Sequence, residues 1–181
     1  MHIRANLRNF LLRGVAALLD ILVSVVLFVI ATPFANAVMG RDLFDFDTLQ
    51  MFFTFERGED EVANLWLNAA SVAIVIVYKV ITESSSWQAS IGKKILRLVV
   101  TDEQGRRITA QRALGRNVVK EMGIISRIAL SALFIDQDVS TLASIVSLYF
   151  FVDGLVILLT PKRQAIHDLV AGTLVTGEQK N

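Results

Sequence analysis

The chain has 181 residues, of which 54% are hydrophobic, and its mean hydropathy is +0.55. That apolar share exceeds the roughly 45–50% of soluble domains and is gathered in long runs, which places the protein in a membrane. A formal net charge of +1 leaves no basic excess to hold nucleic acid, and the lack of cysteine excludes disulfides, thiolate catalysis and cysteine zinc sites.

Residues 1–10 form a short basic segment with Arg4 and Arg8. The apolar run that follows, Leu11 to Met39, is too long for a signal-peptide core and ends in no clear cleavage site, so it reads as a retained anchor. From Val15 to Ala31 it is apolar or small except for Asp20 and Ser24, close to the roughly 20 residues a span needs. Pro33 and Asn36 predict a frayed or broken end. Arg13 and Asp20 lie seven apart, about two helical turns, so they share a face that Ser24 continues. A carboxylate at mid-bilayer costs about 2.5–3.5 kcal/mol on insertion scales, so Asp20 should face protein or a wet cavity. It is either an ion or proton site, or a pin that bonds Arg13 or another polar group.

Gly40 to Glu61 is acidic and interleaved with phenylalanine, as a segment lying on the outer bilayer surface would be. A second span runs from about Val62 to Thr82, with Trp66 and Tyr78 near its ends and Lys79 placed to snorkel. Residues 83–120 are rich in lysine and arginine, which puts them and the N-terminus inside. Trp87, Ile91, Ile95 and Leu98 recur near the helical period and predict a short interfacial helix with lysines at the headgroups. Next come a strand over 97–101, a turn at Asp102–Gly105 and a return over Arg106–Ile108, a small β-hairpin. Thr109 can cap the helix after it.

Gly123 to Ile135, interrupted by Arg127, is a third span or an interfacial helix. Thr141 to Leu159 is a clear span containing Ser144, Ser147 and Asp153. If Lys162 and Arg163 mark the cytoplasm there are four spans with both termini inside; three spans would put them outside, against the charge rule. Gly172 and Thr173 predict a turn before a strand-like Leu-Val-Thr. The expected fold is an all-α integral membrane protein, a helical transmembrane bundle forming one domain over residues 1–181 in the cytoplasmic membrane.

Four segments, in order, resemble the RDD family of membrane proteins, which takes its name from one arginine and two aspartates. They are LLRGVAALLD (Leu11–Asp20), SIGKKILRLVVTDEQGRRIT (Ser90–Thr109), ALGRN (Ala113–Asn117) and TPKRQAIHDLVAGTLV (Thr160–Val175). The resemblance puts the named residues on Arg13, Asp20 and Asp168, with Gly92, Lys93 and Arg116 as further motif positions. Ser90 stands where the family often has threonine, which keeps a hydroxyl, and Arg97 where glycine is common. The resemblance implies a helical transmembrane domain, some members of which are linked to transport, including sodium/proton exchange.

For chemistry, Asp20 and Asp153 are the two acids set inside strong spans, at similar depth by helical rise. Close carboxylates share a proton or attract a cation, and Ser24 could add a neutral oxygen for a hard cation such as sodium. Arg13, Arg116 and Asp168 read instead as a structural latch at the cytoplasmic face, with His167 either a proton relay or a packed interfacial residue. No Gly-x-Ser-x-Gly elbow, metal-binding histidine spacing or P-loop is present, so neither enzyme chemistry nor a cofactor is expected. The leading expectation is a small transporter, a cation/proton exchanger using an intramembrane aspartate. It would work as a homo-oligomer, because so few spans enclose little pathway alone. The alternative is a non-transporting scaffold or assembly factor that binds lipid or a partner protein through its basic cytoplasmic face.

Overall fold

A computed structural model describes residues 2–39, 61–134, 142, 145–146 and 148–177. The expectations for the acidic segment over 40–60 and the turn over 135–140 lie outside them. In chain order the elements are α1 (His2–Met39), α2 (Glu61–Ser84), α3 (Ile91–Ile95), β1 (Leu98–Asp102), α4 (Ala110–Lys120), α5 (Met122–Leu133), α6 (Tyr149–Leu159), α7 (Ile166–Ala171) and β2 (Thr173–Gly177).

Helix α1 is inside-out relative to a soluble helix. Arg13, Ala16 and Asp20, spaced three and four apart, are buried, while Leu18, Leu22 and Ile30 on the other faces are more than 60% exposed. Bare leucine and isoleucine over such a length are costly in water and ordinary against lipid. Leu7–Ile30 is long and apolar enough to cross a bilayer, the one such helix among the described residues; α5 and α6 are shorter apolar helices. The helix also continues through Pro33 to Met39, past the break expected near Ala31.

Three expectations for residues 79–108 change. The strand over 98–102 does not fold back on Arg106–Ile108. It pairs antiparallel with β2, with Val100 opposite Val175. The local turn does form, with Gly105 at φ +77° and the Asp102 N–H donating to the Arg106 carbonyl at 2.9 Å, but it adds only a single bridge, Thr101 to Arg107. The buried apolar residues explain the preference, since Leu98, Val100 and Val175 join Ala16, Ile108 and Ala113 in one core that a free hairpin could not build. Second, the interfacial helix is only α3, and its lysines do not both reach headgroups, because Gly92 and Lys93 are buried. Third, Lys79 does not snorkel; it is buried in an ion pair with Glu121 at 2.6 Å.

Arg97, between α3 and β1, has φ +54°. A left-handed backbone favours glycine, which accounts for the glycine common there in the family it resembles. Gly172 ends α7 in the same conformation, φ +61°, and turns the chain into β2.

Candidate functional site

Asp20 and Arg13 do not bond each other. The Asp20 carboxylate is held by neutral donors: Ser90 Oγ at 2.5 Å and the Gly92 N–H at 2.9 Å, with the Tyr78 hydroxyl at 3.4 Å. The Tyr78 oxygen in turn accepts the Ile91 N–H at 2.8 Å. Asp20 thus fastens α1 to the first turn of α3, where backbone N–H groups lack helical partners. Helices this close need glycine at the crossing. A Cβ on Gly92 would stand 2.2 Å from the Ala16 carbonyl oxygen and 2.9 Å from Asp20 Oδ1. Ser24 donates to the Asp20 backbone carbonyl at 2.8 Å rather than to its side chain.

Arg13 reaches across to the end of the chain. It is ion-paired with Asp168 and donates to the Arg163 carbonyl at 3.0 Å. Arg116, 1% exposed, bonds the other Asp168 oxygen at 3.0 Å and Glu83 at 2.6 Å. Glu83 also takes Lys93 as an ion partner and Asn117 Nδ2 at 3.0 Å. The Ala165 N–H at 3.1 Å and Thr173 Oγ1 at 3.2 Å complete the shell of Asp168. One connected network therefore joins α1, α2, α3, α4 and α7. Arg13, Arg116 and Asp168 are brought together by these bonds, and Glu83, which the sequence did not single out, lies at the centre of the network.

His167 is buried between this network and Asp153. Its Nδ1 lies 2.6 Å from Asp153 Oδ2, and its backbone N–H donates to Asp153 Oδ1 at 3.0 Å. Its Nε2 faces guanidinium groups of Arg13 at 3.4 Å and Arg116 at 3.3 Å. Guanidinium only donates, so Nε2 is the acceptor and the single ring proton sits on Nδ1. Burial pushes the imidazole down to about 4, outweighing the pull of Asp168 and Asp153. At neutral pH His167 is uncharged. Asp168 is held well below the usual carboxylate range by His167, Arg116 and Arg13, despite its burial.

Two cavities adjoin this network. One of about 310 Å³ lies among α1, α2, α5 and α6, with Ile21, Val72, Val75 and Ile124 in its apolar walls. The other, about 280 Å³, is lined by both Asp20 and Asp153, together with Arg13, Lys93 and His167. Asp20 and Lys120 line both cavities. The two acids singled out from the sequence therefore do border one space, although each has its oxygens occupied by other donors.

Among the described residues, Lys120 forms no ion pair with a carboxylate, and Asp20 none with a lysine or arginine. Burial and the nearby charges of Lys79 and Lys93 bring the Lys120 ammonium down to about 7, against the pull of Glu121. Burial and Arg116 lower Lys93 to about 8, against the pull of Glu83. Nothing in the apolar periodicity marked Lys120 or Glu83, because both read as members of a cytoplasmic charge cluster. Among the described residues no three His, Cys, Asp or Glu side chains are grouped to hold a metal ion.

These features define a helical membrane domain whose first span is tied to the C-terminal segment by buried arginine–aspartate bonds. A model of the RDD family matches residues 7–172, and the chain belongs to that family. No curated protein and no solved structure matches it.

Proposed function

We propose that the protein is a small transporter of the cytoplasmic membrane that couples solute movement to protons. Its basic segment faces the cytoplasm, its apolar helices make four spans, and it assembles as an oligomer. The observation that carries this reading is the position of Asp20, an intramembrane carboxylate without a cationic partner among the described residues, on the shared border of two cavities. Intramembrane acids beside a cavity are characteristic of proton relays and ion pathways. Asp20 is the proton-handling group. Asp153, bonded to His167 through the ring Nδ1 and the backbone N–H, orients that ring.

Sodium/proton exchange is the first form to test. A hard cation needs several oxygens at 2.3–2.6 Å or similar, and here Ser90, Gly92 and Tyr78 already occupy those of Asp20. A proton needs only one lone pair, so the geometry supports protons as the coupled ion more directly than sodium.

A scaffold role has one observation in its favour: Arg97, Arg106, Arg107 and Arg112 are exposed around β1 and α4. Such a cluster suits anionic headgroups.

Proteoliposomes carrying a pH-sensitive dye distinguish the two. Sodium, potassium or lithium is added beside wild type and Asp20→Asn, with folding checked by thermal melting. A cation-dependent pH change that disappears in a folded Asp20→Asn supports exchange through Asp20. Silence from folded wild type with every cation removes cation exchange.

A further inference from the structure

The inference rests on the transport reading above and names a substrate class for the same cavities. The charges that line the cavities, with their ion partners, balance. The cations are Arg13, Lys79, Lys93, Arg116 and Lys120. The anions are Asp20, Glu83, Glu121, Asp153 and Asp168. Eight of these ten engage in direct ion pairs or the His167–Asp153 bond, counting Lys79 with Glu121, Lys93 and Arg116 with Glu83, and Arg13 with Asp168. The remaining two, Asp20 and Lys120, are the charged residues common to both cavities, which also share Ala17 and Phe150.

An ammonium on a cavity border that is ion-paired to no carboxylate is a place for an anion. The walls next to it decide which anion. Ile21, Val72, Val75 and Ile124 make most of the wall apolar, with Ser24, Asn68 and Ser71 as its neutral polar positions, which favours hydrocarbon over a long hydrophilic solute. A cavity of about 310 Å³ is at the small end of ligand sites, which run from about 300 to 1,000 Å³. It suits one short chain and not a two-chain lipid. A single ammonium neutralises a single negative charge, so a carboxylate fits better than a doubly charged phosphate beside Asp20 and Glu121.

We propose that the cavity walled by Ile21, Val75 and Ile124 binds a short- to medium-chain carboxylate, its head on the Lys120 ammonium at the border with the second cavity and its chain along those residues, and that one proton enters with it. The proton follows from the charge balance. A carboxylate alone would leave one uncompensated negative charge away from water, which is strongly unfavourable. With a proton on Asp20 the site remains neutral: one carboxylate and one proton in, no net charge gained. The groups around Lys120 that set this balance are Asp20 and Arg13 from α1, Lys79 from α2, Lys93 from α3, Arg116 from α4, Glu121 between α4 and α5, Asp153 from α6 and His167 from α7. Carboxylate and proton thus travel as a pair.

The test is calorimetric titration of sodium octanoate into the full chain in nanodiscs, with empty discs as the blank, near pH 6, where Lys120 is already mostly an ammonium and a proton taken up must go elsewhere, in two buffers of different ionisation enthalpy. Wild type should bind octanoate with uptake of about one proton. Lys120→Met should lose roughly tenfold or more in affinity, the scale of one charged hydrogen bond, while Lys120→Arg keeps most of it. Thermal melts confirm that both variants fold. Octanol, with the same chain and no charge, should bind more weakly than octanoate. The assignment is overturned by folded wild type that does not bind octanoate. It is equally overturned if Lys120→Met binds as well as wild type and octanol matches octanoate, which would mark a merely greasy cavity. Binding without proton uptake overturns the coupling. Because the titration needs no transport, octanoate binding by a protein that moves no protons in proteoliposomes under either a cation or an octanoate gradient would refute the transport reading alone. Cation-driven proton movement without octanoate binding would refute only the ligand.

Discussion

Arg13 and Asp168 stand 155 positions apart and form a buried ion pair between α1 and α7. Arg13 does more than supply charge there. Its planar head spans Asp168, the Arg163 carbonyl and His167 Nε2 at once. Lysine keeps the charge and loses the fork. Arg13→Lys should cost about 1–3 kcal/mol, read as a lower melting temperature in detergent, with Arg13→Gln worse because it also leaves a buried carboxylate underpaired.

Gly92 should tolerate no side chain. The Cβ of Gly92→Ala would lie 2.2 Å from a backbone oxygen of α1, which cannot swing aside as a flexible side chain would. Overpacking of this kind costs about 1–3 kcal/mol or more. Gly115, whose Cβ would meet nothing within 4 Å, is the control. Gly115→Ala should melt at or above the wild-type temperature, since alanine is the better helix former.

Stability should fall in acid from a starting point set by His167. Its folded pKa, about 4, is below the ordinary value of 6.5. The unfolded chain therefore binds more protons between those values, and stability rises with pH across that window. Acidification below about 6.5 erodes it until pH about 4, where Asp168, also lowered in the fold, begins to add its own loss. A melting-temperature series from pH 7.5 to 4.5 checks this, and His167→Gln should flatten the upper part of the slope.

Lys120 should behave as a costly residue. With its folded pKa near 7 against 10.5 for an ordinary lysine, the unfolded chain binds more protons in between. Stability accordingly rises with pH from about 7 towards 10.5. Lys120→Met should be more stable than wild type at pH 7, by about 1–2 kcal/mol, as is common when a strained functional group is removed. The advantage should shrink by pH 9.

The sequence revealed this site unevenly. Arg13, Asp20 and Asp168 stood out because charge inside an apolar run, or inside a family motif, is conspicuous. Their partners were harder to assign. Helical spacing put Arg13 over Asp20, yet Ser90 and Gly92 lie nearer to Asp20 once α3 crosses α1, and no periodicity within one helix reports what another helix brings. Glu83 and Lys120 were hidden among the many charges of residues 83–120, where solvation is the ordinary fate. The strand over 98–102 was visible from its composition, but its partner was 75 positions further on, and local turn chemistry favoured the nearer one.

The pairing of β1 with β2 also has a meaning for biosynthesis. A ribosome releases Arg13, Glu83, Lys93 and Arg116 long before Asp168 and the strand over Thr173–Gly177 emerge. Until then the helices sit in the bilayer with the Arg13 guanidinium still awaiting its counter-ion and Arg116 holding only Glu83, and the core around Val100 lacks Val175. The last segment is the keystone set after the arch. A nascent chain that stalls before residue 168 leaves unmatched charge beside the membrane, a recognisable mark for quality control.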